Sequence, residues 1–199
     1  MAARAARSEP SHDRILDATM SIIGERGLEA VTHRSVAKAA GVSLGAISHH
    51  FPSRRALLEA ALIRAGQREV QHLDRLALEL QSRLFDVDEW VEAMAAALAN
   101  DLERDRTPRL AQYELLLACA RNPAMRELAR AWREAHLRVA SVGMRAAGSP
   151  RPDEHGRLLV AAITGLLLKQ LADPEPRFES DVLRPQLAEL VRSLVQAAA

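Results

Sequence analysis

Between Thr32 and Leu58 the chain reads as two short helices around a glycine turn, and from Glu29 to Glu59 no acidic residue interrupts it. Thr32 can offer its hydroxyl to the free amides at the start of a helix carrying Val36, Ala37 and Ala40. Gly41 can then end that helix in the left-handed conformation that a Cβ disfavours. After the turn Gly41-Val42-Ser43, Ser43 can cap a second helix, Leu44 to His49. Its Ala46 and Ile47 are small and apolar enough to pack on the first helix, and Phe51-Pro52 closes the unit. Two capped helices joined by a three-residue turn containing Gly form the helix-turn-helix pattern.

Charge sharpens the reading. Acids make up 26 of 199 residues, so about four are expected in this stretch. It carries instead Arg34, Lys38, Arg54 and Arg55, with His33, His49 and His50. The net charge of the chain is only +1, so the basic character is local. A positive surface around an exposed short helix suits a polyanion, because neutralising phosphates releases condensed counterions.

At these residues the chain resembles a known family. The run Val36-Ala37-Lys38-Ala39-Ala40-Gly41-Val42-Ser43-Leu44-Gly45-Ala46-Ile47-Ser48-His49-His50-Phe51-Pro52-Ser53-Arg54-Arg55-Ala56-Leu57-Leu58 is similar to the DNA-binding signature of TetR-family transcriptional regulators. The resemblance covers about 50 residues when the first helix is included. It implies an all-helical, two-domain homodimer that represses transcription until a small molecule binds its C-terminal domain. One departure stands out: where the family usually has a phosphate-contacting Tyr, this chain has Ser48.

A chain of 199 residues can bury roughly 70% of its unfolded surface. With 48% apolar residues and 3% aromatics, the core must be mostly Leu, Ala and Val, a composition that favours helices. The single Cys119 excludes an intrachain disulfide and a cysteine zinc site, which makes a reducing cytoplasm the natural compartment. No signal-peptide core precedes residue 30. The longest uncharged apolar run, Leu158 to Leu168, is too short for the roughly 20 residues that span a bilayer, so no membrane partner is expected.

Periodicity and punctuation predict an all-α chain with neither strand nor repeat. Residues 1–10 read as a flexible basic arm, residues 11–57 as the helix-turn-helix DNA-binding domain, and residues 58–199 as a helical regulatory and dimerisation domain. The first helix begins near Ser11, places Ile15, Leu16, Thr19, Ile22 and Ile23 on one face, and ends at Gly27. Ser53 caps a long helix bearing Leu57, Leu58, Ala61 and Leu62, with Gly66 in its middle marking either a bend or a surface position. Asp88 is the expected cap of the next helix. Thr107-Pro108 and Asn122-Pro123 each combine a cap with an N1 proline. Gly148-Ser149-Pro150 stops a helix, and two more run from about Pro152 to Ala172 and from about Pro185 to Ala197.

The helix through Leu159, Ile163, Leu166 and Leu167 is apolar nearly all round, which requires cover on several sides. The last helix offers Leu187, Leu190, Val191 and Leu194 on a matching stripe. Two such pairs could form an intersubunit four-helix bundle, so a homodimer is expected through these residues. The large amphipathic side chains recur at helical spacing on three consecutive helices: Trp90 with Met94, Tyr113 with Leu117, and Trp132 with His136. As a set they suggest a pocket for an unknown small-molecule effector, with Glu114 and Gln170 as further polar contributors. His49 and His50 are adjacent, hence about 100° apart on a helix, and no histidine pair has metal-ligand spacing. No metal or cofactor is therefore expected, and Cys119 between two alanines reads as a small buried filler.

These observations point to a ligand-responsive dimeric regulator. Ser43, Leu44, Gly45, Ser48, His49 and His50 would form or border the recognition helix in the major groove of a double-stranded DNA operator. Thr32, His33, Arg34, Lys38, Arg54 and Arg55 would hold phosphates, which position the protein without specifying sequence. Two rivals use the same chain differently. One makes the C-terminal region a protein-interaction module. The other makes it an all-helical enzyme with Glu114 or His136 as a general base.

Overall fold

In the computed structural model, which describes residues 2–81, 86–121, 123 and 126–196, regular structure is helical throughout. The helices are α1 (Ala2–Arg26), α2 (His33–Ala40), α3 (Leu44–His50), α4 (Arg54–Gln81), α5 (Val87–Arg104), α6 (Thr107–Arg121), α7 (Arg126–Ala146), α8 (Pro152–Ala172) and α9 (Arg184–Gln196). A 3₁₀ turn, Leu28–Ala30, precedes α2, and a π turn, Glu179–Leu183, precedes α9. The chain condenses into two units, residues 1–68 with 106–129, and residues 69–105 with 130–199. Helices α4 and α7 each contribute to both.

In the first unit α1 packs on α6, on α2 and on the 3₁₀ turn. The face predicted from spacing is the one buried: Ile15, Leu16, Thr19, Ile22 and Ile23 are all at most 2% exposed. Thr19 satisfies its hydroxyl by donating to the carbonyl of Ile15 at 2.7 Å. At Gly24 the approach to α6 is so close that a Cβ would overlap the carbonyl oxygen of Thr107. Two carboxylates on the outer side of α1 meet α4, Asp13 with Arg64 at 2.5 Å and Asp17 with Arg68 at 2.6 Å. The helix starts at Ala2 rather than near Ser11. Alanine and arginine are strong helix formers, and extending an existing helix adds one hydrogen bond per residue ordered.

The second unit is built from the end of α4, α5, most of α7, α8 and α9. Its α9 lies against α5 and α8, burying Leu187 and Val191 completely. The cap of α5 is Asp86, whose carboxylate accepts from the Glu89 amide at 2.9 Å. Asp88, expected there, lies inside the first turn and pairs with Arg192 of α9 at 3.1 Å. Gly66 is not a surface position: α4 runs unbroken from residue 54 to 81 and buries it. Gly148-Ser149-Pro150 stops α7 as expected, with Gly148 at a φ of 80°. Buried Ser149 and His155 hydrogen-bond to each other across this corner at 2.7 Å. The Asn122-Pro123 cap involves Asn122, outside the described residues.

Candidate DNA interface and regulatory unit

Local sequence determines the geometry of α2 and α3. The Thr32 hydroxyl accepts from the Ser35 amide at 3.0 Å, and Ser35 Oγ in turn accepts from the Thr32 amide at 2.9 Å, so the two side chains cap α2 reciprocally. Gly41 ends α2 with a φ of 63° and ψ of 40°, the left-handed region open to glycine at no steric cost. Ser43 Oγ accepts from the Ala46 amide at 3.1 Å and starts α3. Val36 and Ile47 are completely buried and fasten the two helices to the unit.

With Ile47 turned inward, the outward face of α3 carries Ser43, Leu44, Gly45, Ser48 and His49, all exposed. Leu44 is 49% exposed, unusual for a leucine that has no partner to meet. Thr32, Arg34 and Lys38 are exposed on α2 and its cap, and Arg55 is exposed while pairing with Glu59 at 2.8 Å. A neutral, small-residue helix flanked by cations is thus presented to solvent, a shape that enters a major groove while its surroundings meet phosphate.

Three of the predicted contact residues turn toward the protein instead. Arg54 turns back into the protein: its Nε donates to the Val31 carbonyl at 2.8 Å and its terminal nitrogen to the Leu28 carbonyl at 2.7 Å, with Glu29 at 3.4 Å. A guanidinium matches two carbonyls because its donors form a rigid fork, and sequence spacing alone does not reveal that the 3₁₀ turn lies within its reach. His33 buries its Nε2 with no hydrogen-bond partner, so that atom is turned away from a phosphate. His50 packs inward, its ring centroid 5.6 Å from that of His12 on α1 and 6.2 Å from that of Phe51. Burial first, then the neighbouring His12 and His49, hold the His50 imidazole below the usual histidine range. Ser35 and His12 were not singled out by sequence. The Thr-x-x-Ser spacing was a readable cap signal, whereas nothing local links His12 to residue 50.

In the second unit α7 turns Trp132 and Gly143 inward. Trp132 is 5% exposed, and Gly143 is buried directly beneath the Trp90 ring of α5, where a Cβ would overlap Trp90 Cζ2. The Trp132 and His136 rings are 5.6 Å apart. His136 Nδ1 lies 3.0 Å from the Trp132 carbonyl oxygen, and its Nε2 lies 3.8 Å from Glu69 of α4. Met94 is half-buried on α5. Tyr113 and Leu117 belong to α6 in the first unit. Leu117 departs from the inward reading, being 51% exposed, because α6 turns Ala111 and Cys119 inward instead. Burial pushes up both the Tyr113 phenol and the Cys119 thiol.

The residues expected at a subunit interface divide by burial. Leu159, Leu167, Leu187 and Val191 are at most 1% exposed within the single chain, so they belong to its own core and are covered before any partner arrives. Ile163, Leu166, Leu190 and Leu194 are half-buried. The outward face of α8 carries Leu158 and Leu168, 52% and 49% exposed, with Ala161 and Gly165 between them. A period of 3.6 puts those four on one side of the helix. An all-round apolar helix cannot be sorted into inner and outer faces from sequence, which is why the two sets were mixed. Among the described residues no helix is long and apolar enough to cross a membrane, and no group of three His, Cys, Asp or Glu could hold a metal ion.

Residues 15–61 match the family described as bacterial regulatory proteins, tetR family, and residues 85–197 match the family described as tetracyclin repressor-like, C-terminal domain. The chain is 46% identical over 65 residues to the HTH-type transcriptional repressor KstR of Mycolicibacterium smegmatis, a match spanning 33% of this chain and 32% of that protein. It is 26% identical over 190 residues to the HTH-type transcriptional regulator BetI of Cronobacter sakazakii, covering 94% and 91% of the two chains. Among solved structures, the multidrug binding protein EbrR complexed with ethidium superposes with a TM-score of 0.66 at 29% identity, over 90% of this chain and 98% of that one.

Proposed function

Because the chain belongs to the TetR family, whose members are DNA-binding transcriptional regulators and not enzymes, we propose that it is a repressor which binds a near-palindromic operator as a homodimer and lets go when a small apolar or aromatic effector binds its second unit. The observation that carries the DNA half of this reading is the outward face of α3, where five consecutive-turn positions are exposed beside Arg34 and Lys38 with no acid among them. The effector half draws on the α7 stripe of Trp132 and His136, and on the complex of EbrR with ethidium. KstR is a repressor, and its likeness to this chain lies in the DNA-binding segment.

The dimer would form through the outward face of α8, Leu158, Ala161, Gly165 and Leu168, together with the half-buried Leu190 and Leu194 of α9. Two such faces would give a four-helix interface related by a two-fold axis, and the operator half-sites would then lie about one helical turn, roughly 34–36 Å, apart or somewhat more. Effector binding would act by favouring one arrangement of the paired DNA-binding units over another.

Selecting bound fragments from random duplex DNA, then titrating the recovered sequence with salt and screening small molecules for its release, tests the whole reading. A two-fold symmetric site, steep salt dependence and release by a compound are expected. Retention of no duplex at low salt would refute it. A stable complex with a second protein, without stabilisation by any small molecule, would favour a protein-interaction role for residues 58–199.

A further inference from the structure

Resting on the reading that an effector acts through the second unit, we propose that this effector is a largely apolar molecule, not a carboxylate, whose neutral carbonyl or hydroxyl oxygen accepts a hydrogen bond from the Trp132 indole. Trp132 is 5% exposed, and its Nε1 is buried without a hydrogen-bond partner. Buried indole N–H groups ordinarily have one. The indole nitrogen can only donate, so the missing group is an acceptor.

The neighbouring polar groups narrow the acceptor further. His136, one turn along α7, donates from Nδ1 to the Trp132 carbonyl at 3.0 Å, and its Nε2 lies 3.8 Å from Glu69 Oε1. The Glu69 carboxylate therefore lies beside the imidazole whose ring, tilted by 59° to the Trp132 indole, has its centroid 5.6 Å away. A second carboxylate brought to this low-dielectric position would be opposed by the first. A pure donor cannot satisfy an N–H, and a hydrocarbon would leave it as orphaned as before. An uncharged oxygen satisfies the donor without adding a charge.

Three probes share a ring system and differ only in the tested group: 2-acetylnaphthalene, 2-isopropylnaphthalene and 2-naphthoate. The chain contains two tryptophans, so labelling with ¹⁵N-tryptophan gives two indole N–H resonances, and the one lost in Trp132→Phe is that of Trp132. The ketone is expected to bind about tenfold tighter than the hydrocarbon, the size of one hydrogen bond to an otherwise unsatisfied donor, and to move the Trp132 resonance downfield. The naphthoate should bind weakest. In Trp132→Phe, which keeps an aromatic ring and loses the N–H, the ketone's advantage should fall to about twofold or less.

A ketone preference that survives in Trp132→Phe overturns the inference, as does a Trp132 resonance unmoved by the bound ketone, which would mean that water already holds the donor. Equal binding of hydrocarbon and ketone, each releasing the operator, overturns the acceptor inference while leaving a ligand-responsive regulator intact. Failure of all three probes to bind counts against the effector reading as well. Loss of the other resonance in Trp90→Phe assigns the pair independently, so the chemical-shift test on the parent protein keeps the inference refutable even if Trp132→Phe misfolds.

Discussion

Arg54, at the first position of α4, donates from Nε to the carbonyl oxygen of Val31, the residue just before the cap of α2. The beginning of the helix-turn-helix is thereby tied to the helix that follows it. These bonds position α2, and they lead us to expect no phosphate contact from Arg54. Arg54→Ala should lower stability by about 1–2 kcal/mol, since two hydrogen bonds to a charged group are lost at a partly exposed site. The salt slope of operator binding should stay as it is, whereas Arg34→Ala or Lys38→Ala should lower it by about one. Arg54→Lys should not restore the loss, because an ammonium cannot span both carbonyls as a fork does. Thermal melts and salt titrations read both quantities, and a reduced slope in Arg54→Ala would return it to the phosphate contacts.

The histidines at the end of α3 should separate by pH. Burial and the adjacent His12 and His49 lower the His50 pKa in the folded chain, so the unfolded chain binds the extra proton more readily. Stability from this group is then fully present above the unfolded value of about 6.5 and is lost as pH falls through it toward the lower folded value. Melting midpoints should drop below about pH 6.5, and the drop should shrink in His50→Gln. His49 is exposed on the outward face, so any gain in operator affinity on acidification should depend on His49→Gln and not on His50→Gln. The reverse assignment would show that His50 turns outward on DNA.

Adjacent leucines on α8 should behave differently. Leu168 is 49% exposed and Leu167 is 1% exposed. Leu168→Glu should give a folded monomer with unchanged helix content, measured by sedimentation and circular dichroism. Leu167→Glu should instead cost about 3 kcal/mol or more, because it buries an unpaired charge. A Leu168→Glu variant that stays dimeric would move the interface off this face.

Gly143 is held as glycine by the Trp90 ring above it. Gly143→Ala should displace that indole and destabilise the protein by about 1–3 kcal/mol, typical of overpacking, with a change in indole fluorescence. Pairing it with Trp90→Leu, which makes room, should recover part of the loss. Full stability in the single variant would mean that α5 moves away freely.

Helix positions were legible wherever the signal was local. Thr32, Gly41 and Ser43 each act on amides or carbonyls within four residues, and the stripe of Ile15 to Ile23 follows one period. What escaped depended on contacts between distant segments. The fork of Arg54 onto Leu28 and Val31, the seat of His50 beside His12, and the approach of Glu69 to His136 each join groups that no periodicity relates. The α8 faces failed for another reason: with apolar residues all round, the sequence carries no contrast from which to choose the buried side. Asp86 displaced Asp88 as a cap because two acids two residues apart offer the same chemistry, and only the backbone entry decides between them.

The contact of α1 with α6 at Gly24 also bears on how this protein is made. The first unit needs residues 106–129 as well as 1–68, so the nascent chain cannot complete it until the ribosome has passed α6. At roughly 5–20 residues per second, the side of α1 that meets α6 waits several seconds for its cover, exposed to chaperones or to neighbouring chains. A fragment ending at residue 68 would keep the cover from α2 and the 3₁₀ turn but never gain that of α6. The DNA-binding surface is therefore among the earliest parts to be synthesised and among the later ones to be finished.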